Sequence, residues 1–305
     1  MRSAALASLI LLAGASVLSG REAYGEGAER PGGVAAVYGS LPPDQVEFLS
    51  SADRIKAAAA SGTMSVIWET LEHAERVECL DCIPAVEPLV YDADPRTREI
   101  AAWWLRRRTF GVFGPGEIYE RTIAALAGAK RDPNPVRRAY AAQALGEFLY
   151  VGGVAPCAEA LGSDPDAMVR ASAAAALGRM GEDGKGALSK AFADAEAQVR
   201  LAALAASMKV NGFSDAAGVA RLLGDRDAAV RRRAVEVTEL MRVKESAAGV
   251  ASLARSDPDA TVRGAACHAL GALREPSVRG DLEAIAASDK DGFVRDMARM
   301  ALRRL

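Results

Sequence analysis

Aromatic side chains are scarce in this chain, with 7 Phe, 3 Trp and 6 Tyr among 305 residues. Strands favour β-branched and aromatic residues, so this scarcity argues against an all-β fold. Histidine occurs at His73 and His268 alone, and no zinc-protease motif or nucleophile elbow is present. Charge of one sign is missing too. The 38 basic and 40 acidic residues are well mixed, and without a polybasic tract neither nucleic acid nor an anionic membrane is expected as the main partner. Beyond residue 20 no stretch is apolar enough to span a bilayer. What is abundant is alanine, 65 residues of it, the strongest helix former. With 50% hydrophobic residues, disorder from end to end is excluded.

The first twenty residues stand apart. Arg2, an apolar run from Ala4 to Leu18, then Ser19 and Gly20 read as a secretory signal peptide over residues 1–20. A helix of that run reaches only ~22 Å, short of the ~30 Å hydrocarbon core, although a retained N-terminal anchor is the alternative. Leu18-Ser19-Gly20 resembles the start of a lipoprotein box, but Arg21 stands where the lipid-bearing cysteine belongs. Cleavage is expected near Ser19 or Gly25, giving an exported protein, periplasmic or secreted, with no stable membrane insertion after cleavage. Residues 21–42 are rich in Gly, Pro and charge and read as a flexible tether, and residues 43–78 hold two helical segments, 44–60 and 63–77, expected to form an N-terminal cap.

From residue 79 to 305 the chain repeats itself. An aspartate is followed six residues later by an arginine in seven pairs: Asp92–Arg98, Asp132–Arg138, Asp164–Arg170, Asp194–Arg200, Asp225–Arg231, Asp257–Arg263 and Asp289–Arg295. Successive arginines are 40, 32, 30, 31, 32 and 32 residues apart, and an alanine stands three places beyond each. In SDPDAMVRASAAAALG, Asp164 and Asp166 are suited to capping free amides, and Val169, Ala173, Ala176 and Leu177 share one helical face. A shorter amphipathic segment, such as VAPCAEALGSD or AAGVARLLGD, follows before the next aspartate. Each unit is therefore two helices, and a single hairpin cannot bury its apolar face without stacked neighbours.

The D-x5-R-x2-A units resemble the short HEAT-like repeats named after phycobilisome lyases, over about residues 80–305. That resemblance implies a right-handed all-α solenoid of about seven units, in which the Asp–Arg columns form a structural ladder between repeats. It also implies an outer layer of first helices, here the Asp–Arg ones, and a concave layer of second helices that holds partners. Taken with the signal peptide and the lack of enzyme motifs, the expected function is an exported scaffold that binds a protein partner, without enzymatic activity and without a cofactor. The family name also raises a bilin lyase as the enzymatic alternative. Deoxyhypusine hydroxylases, another HEAT-like group, hold iron through His-Glu pairs, whereas alanines, Ala74 and Ala269, follow His73 and His268.

Three constellations remain. Cys79 and Cys82 form a CxxC at the junction of cap and array, open to reading as a disulfide, as a redox pair, or with His73 as part of a metal site that lacks a fourth ligand. Cys157 and Cys267 read as buried packing, and His268 as an exposed position. Thirteen of the sixteen aromatics precede residue 151. They form either a bulkier core or a partner-binding hot spot, for which Trp103, Trp104 and Tyr119 are the candidates. Arg106, Arg107 and Arg108 are expected to complement a helix dipole.

Overall fold

A computed structural model of the chain describes residues 51–305 apart from residues 78, 112–115 and 182–183. The expected signal peptide, the tether and the first residues of the cap lie outside the described residues. Two cap helices, α1 (Ala52–Ser61) and α2 (Met64–His73), lead through short 3-10 turns and α3 (Ile83–Val86) into the array. The seven arginines fall on α4 (Pro95–Gly111), α6 (Pro135–Phe148), α8 (Ala167–Met180), α10 (Ala197–Ser207), α12 (Ala228–Met241), α14 (Ala260–Leu273) and α16 (Gly292–Leu302). Between them lie α5 (Glu117–Leu126), α7 (Val154–Ser163), α9 (Lys185–Ala191), α11 (Ala216–Leu222), α13 (Ala247–Ser256) and α15 (Arg279–Ser288). The long first spacing of the repeat is partly a longer helix, since α4 has 17 residues where α6 has 14.

Each arginine helix begins through the same local chemistry. The repeat aspartate accepts the amide two residues on, as Asp164 does from Asp166 at 2.9 Å. That second residue then caps the helix: Asp166 accepts from the amides of Met168 and Val169, and Asp227 and Asp259 do the same two and three repeats later. The arginine closes the turn, because its Nη1 donates to the carbonyl of the aspartate six residues back in all seven units.

The same guanidinium reaches forward. Arg138 grips Asp164 through two parallel bonds of 2.8 and 2.9 Å. Arg170–Asp194, Arg200–Asp225, Arg231–Asp257 and Arg263–Asp289 repeat that fork. Burial alone would push the carboxyls of Asp164, Asp194 and Asp225 up, but the bonds from the arginine and the following amide outweigh it and hold them below the usual range. The bond from Arg263 does the same for Asp289.

The expected ladder fails at its first rung. Arg98 donates to Gln143 Oε1 at 3.1 Å and lies 3.8 Å from the centre of the Tyr140 ring, while Asp132 bonds Arg137 instead. Tyr140 offers Arg98 an aromatic face and Gln143 a carbonyl, and these two positions hold Ser172 and Ala175 in the next unit.

The arginine helices pack directly on one another along the whole stack, and the intervening helices touch more sparsely. Three of these contacts are backbone to backbone. A Cβ on Gly146 would lie 2.8 Å from Ala176 Cα, one on Gly178 2.7 Å from Ala206 Cα, and one on Gly271 2.7 Å from Ala301 Cα. A two-layer stack whose layers differ in spacing curves toward the tighter layer. The arginine helices therefore form the inner layer, which corrects the expectation that placed them outside.

The N-terminal junction is built differently. Trp104 is fully buried and donates Nε1–H to the carbonyl of Ala74 at 3.2 Å. Arg108 stacks on that indole, bonds the carbonyl of Ala74, and donates to those of Glu75 and Val77 at 3.0 and 2.7 Å. Together they satisfy carbonyls that the end of α2 and the turn after it leave free. Arg108 thus does more than complement the dipole of its own helix.

Candidate binding site

One cleft holds Trp103, His73 and Arg106 from among the residues singled out by sequence. It has a volume of about 680 Å³ and opens between the cap and the first arginine helices. Trp68 and Glu72 come from α2, Glu99, Trp103 and Arg106 from α4, and Glu147 and Arg179 from the ends of α6 and α8. Trp103 is half-buried, with one side against the core and the other on the cleft. Its position on α4 corresponds to Gln143, Glu236 and His268 in later units, all half-buried, so a variable stripe runs along this layer.

The electrostatics are mixed and lean acidic, with the carboxylates of Glu72, Glu75, Glu99 and Glu147 against the guanidiniums of Arg106 and Arg179. Glu147 pairs with Arg179, and Glu75 with Arg107 beside the cleft. Burial pushes the Glu147 carboxyl above its ordinary range against the pull of Arg179, and Glu99 adds to the rise. His73 lines the same cleft, its Nδ1 2.6 Å from the carbonyl of Glu69.

Two of the three aromatic candidates are not surface residues. Trp104 points the opposite way from its neighbour, into the junction already described. Tyr119 is 1% exposed and packs edge-on against Phe148 with ring centres 4.7 Å apart. One residue is about 100° of rotation on a helix, so Trp103 and Trp104 cannot share a face. Sequence reasoning missed Trp68, Glu72, Glu147 and Arg179, which only stacking brings together.

Cys79 and Cys82 are joined in a disulfide, and both are buried. The bond uses the two thiolates that a metal site with His73 would need, so that candidate set is withdrawn. Among the described residues no group of three His, Cys, Asp or Glu could hold a metal ion. Cys157 and Cys267 are fully buried, and burial pushes both thiols up to about 12. His268 is tied rather than open, with Glu239 Oε2 2.9 Å from Nδ1 and Arg304 3.1 Å from Nε2. No helix among the described residues is long and apolar enough to cross a membrane.

Stacked hairpins, an inner layer of arginine helices and forked Arg–Asp rungs define an all-α solenoid of helical repeats. Residues 122–209 and 217–303 match the family of HEAT repeats, and the chain belongs to that family. Both matched stretches begin on a short helix and end on or just after an arginine helix, so the unit runs short helix first. Among solved structures, Escherichia coli YibA is similar at 15% identity, covering 91% of this chain and 99% of its own, with a TM-score of 0.57. Importin beta is similar at 11% identity, over 89% of this chain and 50% of its own, also with a TM-score of 0.57. Both likenesses concern the fold alone. The CpcE–CpcF complex of phycocyanin lyase from Nostoc has 19% identity over 72% of this chain and 86% of its own, and its TM-score of 0.40 is too low to bear on activity. No curated protein matches the sequence.

Proposed function

We propose that this protein is an exported, non-enzymatic HEAT-repeat scaffold that grips a protein partner at the Trp103 cleft. The observation that carries the reading is a half-buried tryptophan beside Trp68 in an open cleft rimmed by four glutamates. Tryptophan and arginine dominate protein interfaces, and an indole next to carboxylates suits the lysine or arginine of a partner through combined cation–π and ionic contact. Export is supported by the pattern of residues 1–20 and by the Cys79–Cys82 disulfide, since such bonds persist in oxidising compartments.

The test is capture from the exported fraction by tagged full-length protein, comparing wild type with Trp103→Ala. One protein held by the wild type and lost by a variant of unchanged helix content is the expected result. Equal retention by both would remove the cleft from the reading. N-terminal sequencing of the accumulated protein should find a start near residue 20 or 26, and an intact Met1 in the cytoplasmic fraction would refute export.

A further inference from the structure

A second cleft, of about 760 Å³, opens at the other end of the molecule, where α12, α14 and α16 finish. Arg242, Lys244, Arg274, Arg303 and Arg304 line it together with the small and apolar residues of 271–273, and no carboxylate lines it. That is a departure for a chain of net charge −2 whose ladder arginines are all bonded. Among the described residues, the side chains of Arg242, Arg274 and Arg303 make no hydrogen bond or ion pair. Arg304 is held by His268, which in turn meets Glu239, and Lys244 lies near Glu275.

Backbone conformation does not account for these residues. Arg242 and Arg274 follow their helices with φ of 53° and 52°, a left-handed turn that glycine or asparagine adopts at lower cost. A cation does complement the negative end of a helix dipole. The dipole alone does not explain why arginines from three successive repeats and Lys244 meet in one cleft that no acid lines.

We infer that this cleft binds an extended acidic segment of a protein partner. Guanidinium forks match carboxylates with two parallel bonds, which favours arginine over lysine here. The spacing selects the shape of the ligand. Packed helices lie about 8–10 Å apart, and an extended chain in the polyproline-II conformation turns once every three residues with a rise of about 3.1 Å each, so carboxylates on every third residue share one face and meet arginines on successive repeats. A compact oxyanion spans one such interval at most. The site is separate from the Trp103 cleft and does not depend on it.

The test uses full-length protein and a fluorescent peptide with glutamate at every third position, read by anisotropy, beside the same peptide with glutamine. Saturable binding of the glutamate peptide alone is expected, weakening steeply with salt. The double variant Arg242→Asn, Arg274→Asn should weaken it by roughly tenfold or more while keeping the left-handed turns, since asparagine tolerates that conformation. Arg221→Gln, an exposed arginine outside the cleft, and Trp103→Ala should leave it unchanged. Equal binding of the glutamine peptide, or full binding by the double variant, would overturn the inference. So would displacement by inorganic phosphate at concentrations comparable to the peptide, or equally tight binding of a single-stranded oligonucleotide of the same charge. Retained peptide binding by Trp103→Ala, alongside lost partner capture, separates this site from the other.

Discussion

From α6 to α16 every junction between arginine helices is closed by the same arginine fork on the next unit's aspartate. The two junctions on the N-terminal side, α2 to α4 and α4 to α6, have no such rung and are closed by Trp104, Arg108, Tyr140 and Gln143. The regular region repeats one ion pair whose partners are both recruited from capping turns, so a short motif copied along the chain is enough to build it. The N-terminal region relies on large, singular side chains, and the Trp103 cleft lies there. Regularity gives a uniform inner wall, and the break in it gives a cleft with its own chemistry.

Acid should separate the two regions most. The carboxyls of Asp164, Asp194, Asp225 and Asp289 are depressed in the folded state. Their contribution is complete above the unfolded value of about 3.9 and is lost as pH falls through the lower folded values. Below about pH 4, amide exchange in α6–α16 should therefore accelerate before that in α2 and α4, whose junction holds no rung carboxylate. Simultaneous loss in both would erase the distinction.

A single rung comes next. Arg138 and Asp164 leave 6% and 1% of their side chains exposed, so Arg138→Ala strands a buried carboxylate at a cost of about 3–5 kcal/mol. Arg98→Ala, which gives up one bond to a neutral amide, its turn carbonyls and the Tyr140 stack, should cost nearer 1 kcal/mol. Urea titration of the two variants measures the gap, and equal costs would show that the missing rung has a substitute of the same strength.

The disulfide is smaller again. Its loop of four residues gives about 2 kcal/mol by chain-entropy arithmetic, so Cys79→Ser with Cys82→Ser should loosen the cap by that amount. Amide exchange in α1 and α2 should rise while that in α14 and α16 stays constant, because repeats couple only to their neighbours.

The same contrast governs what could be read before the structure. Columns of Asp, Arg and Ala survive in sequence because each has one job in every unit, and from them came the helices, the caps and five of the rungs. Trp103 and Trp104 lie side by side in the sequence and on different faces of α4, and the repeat column already separates them, since Trp103 shares its place with Gln143, Glu236 and His268 and Trp104 with Ala144, Ala176 and Ala269. The cleft joins Trp68 to Arg179 across more than a hundred residues, a proximity that exists only after stacking. Taking the unit to begin at its aspartate makes the arginine helix the first of the pair and so misplaces the inner layer, and the glycines that bring this layer close, Gly146, Gly178 and Gly271, stand eight places past their arginines in three units only.

Those glycines supply the finest test, one of sign. Alanine ordinarily stabilises a helix relative to glycine by about 0.5–1 kcal/mol. At Gly162, on the exposed face of α7, a Cβ meets nothing within 4 Å, so Gly162→Ala should raise stability by that amount. At Gly178 the same Cβ would lie 2.7 Å from both Cα and Cβ of Ala206, and the first of these is backbone that no rotamer change can move. Overpacking of this kind costs about 1–3 kcal/mol, enough to cancel the helical gain and reverse it. Thermal unfolding of the two variants should shift in opposite directions. A gain at both positions would mean that α8 and α10 can part without loss, and the tight inner layer would no longer account for the direction of the curve.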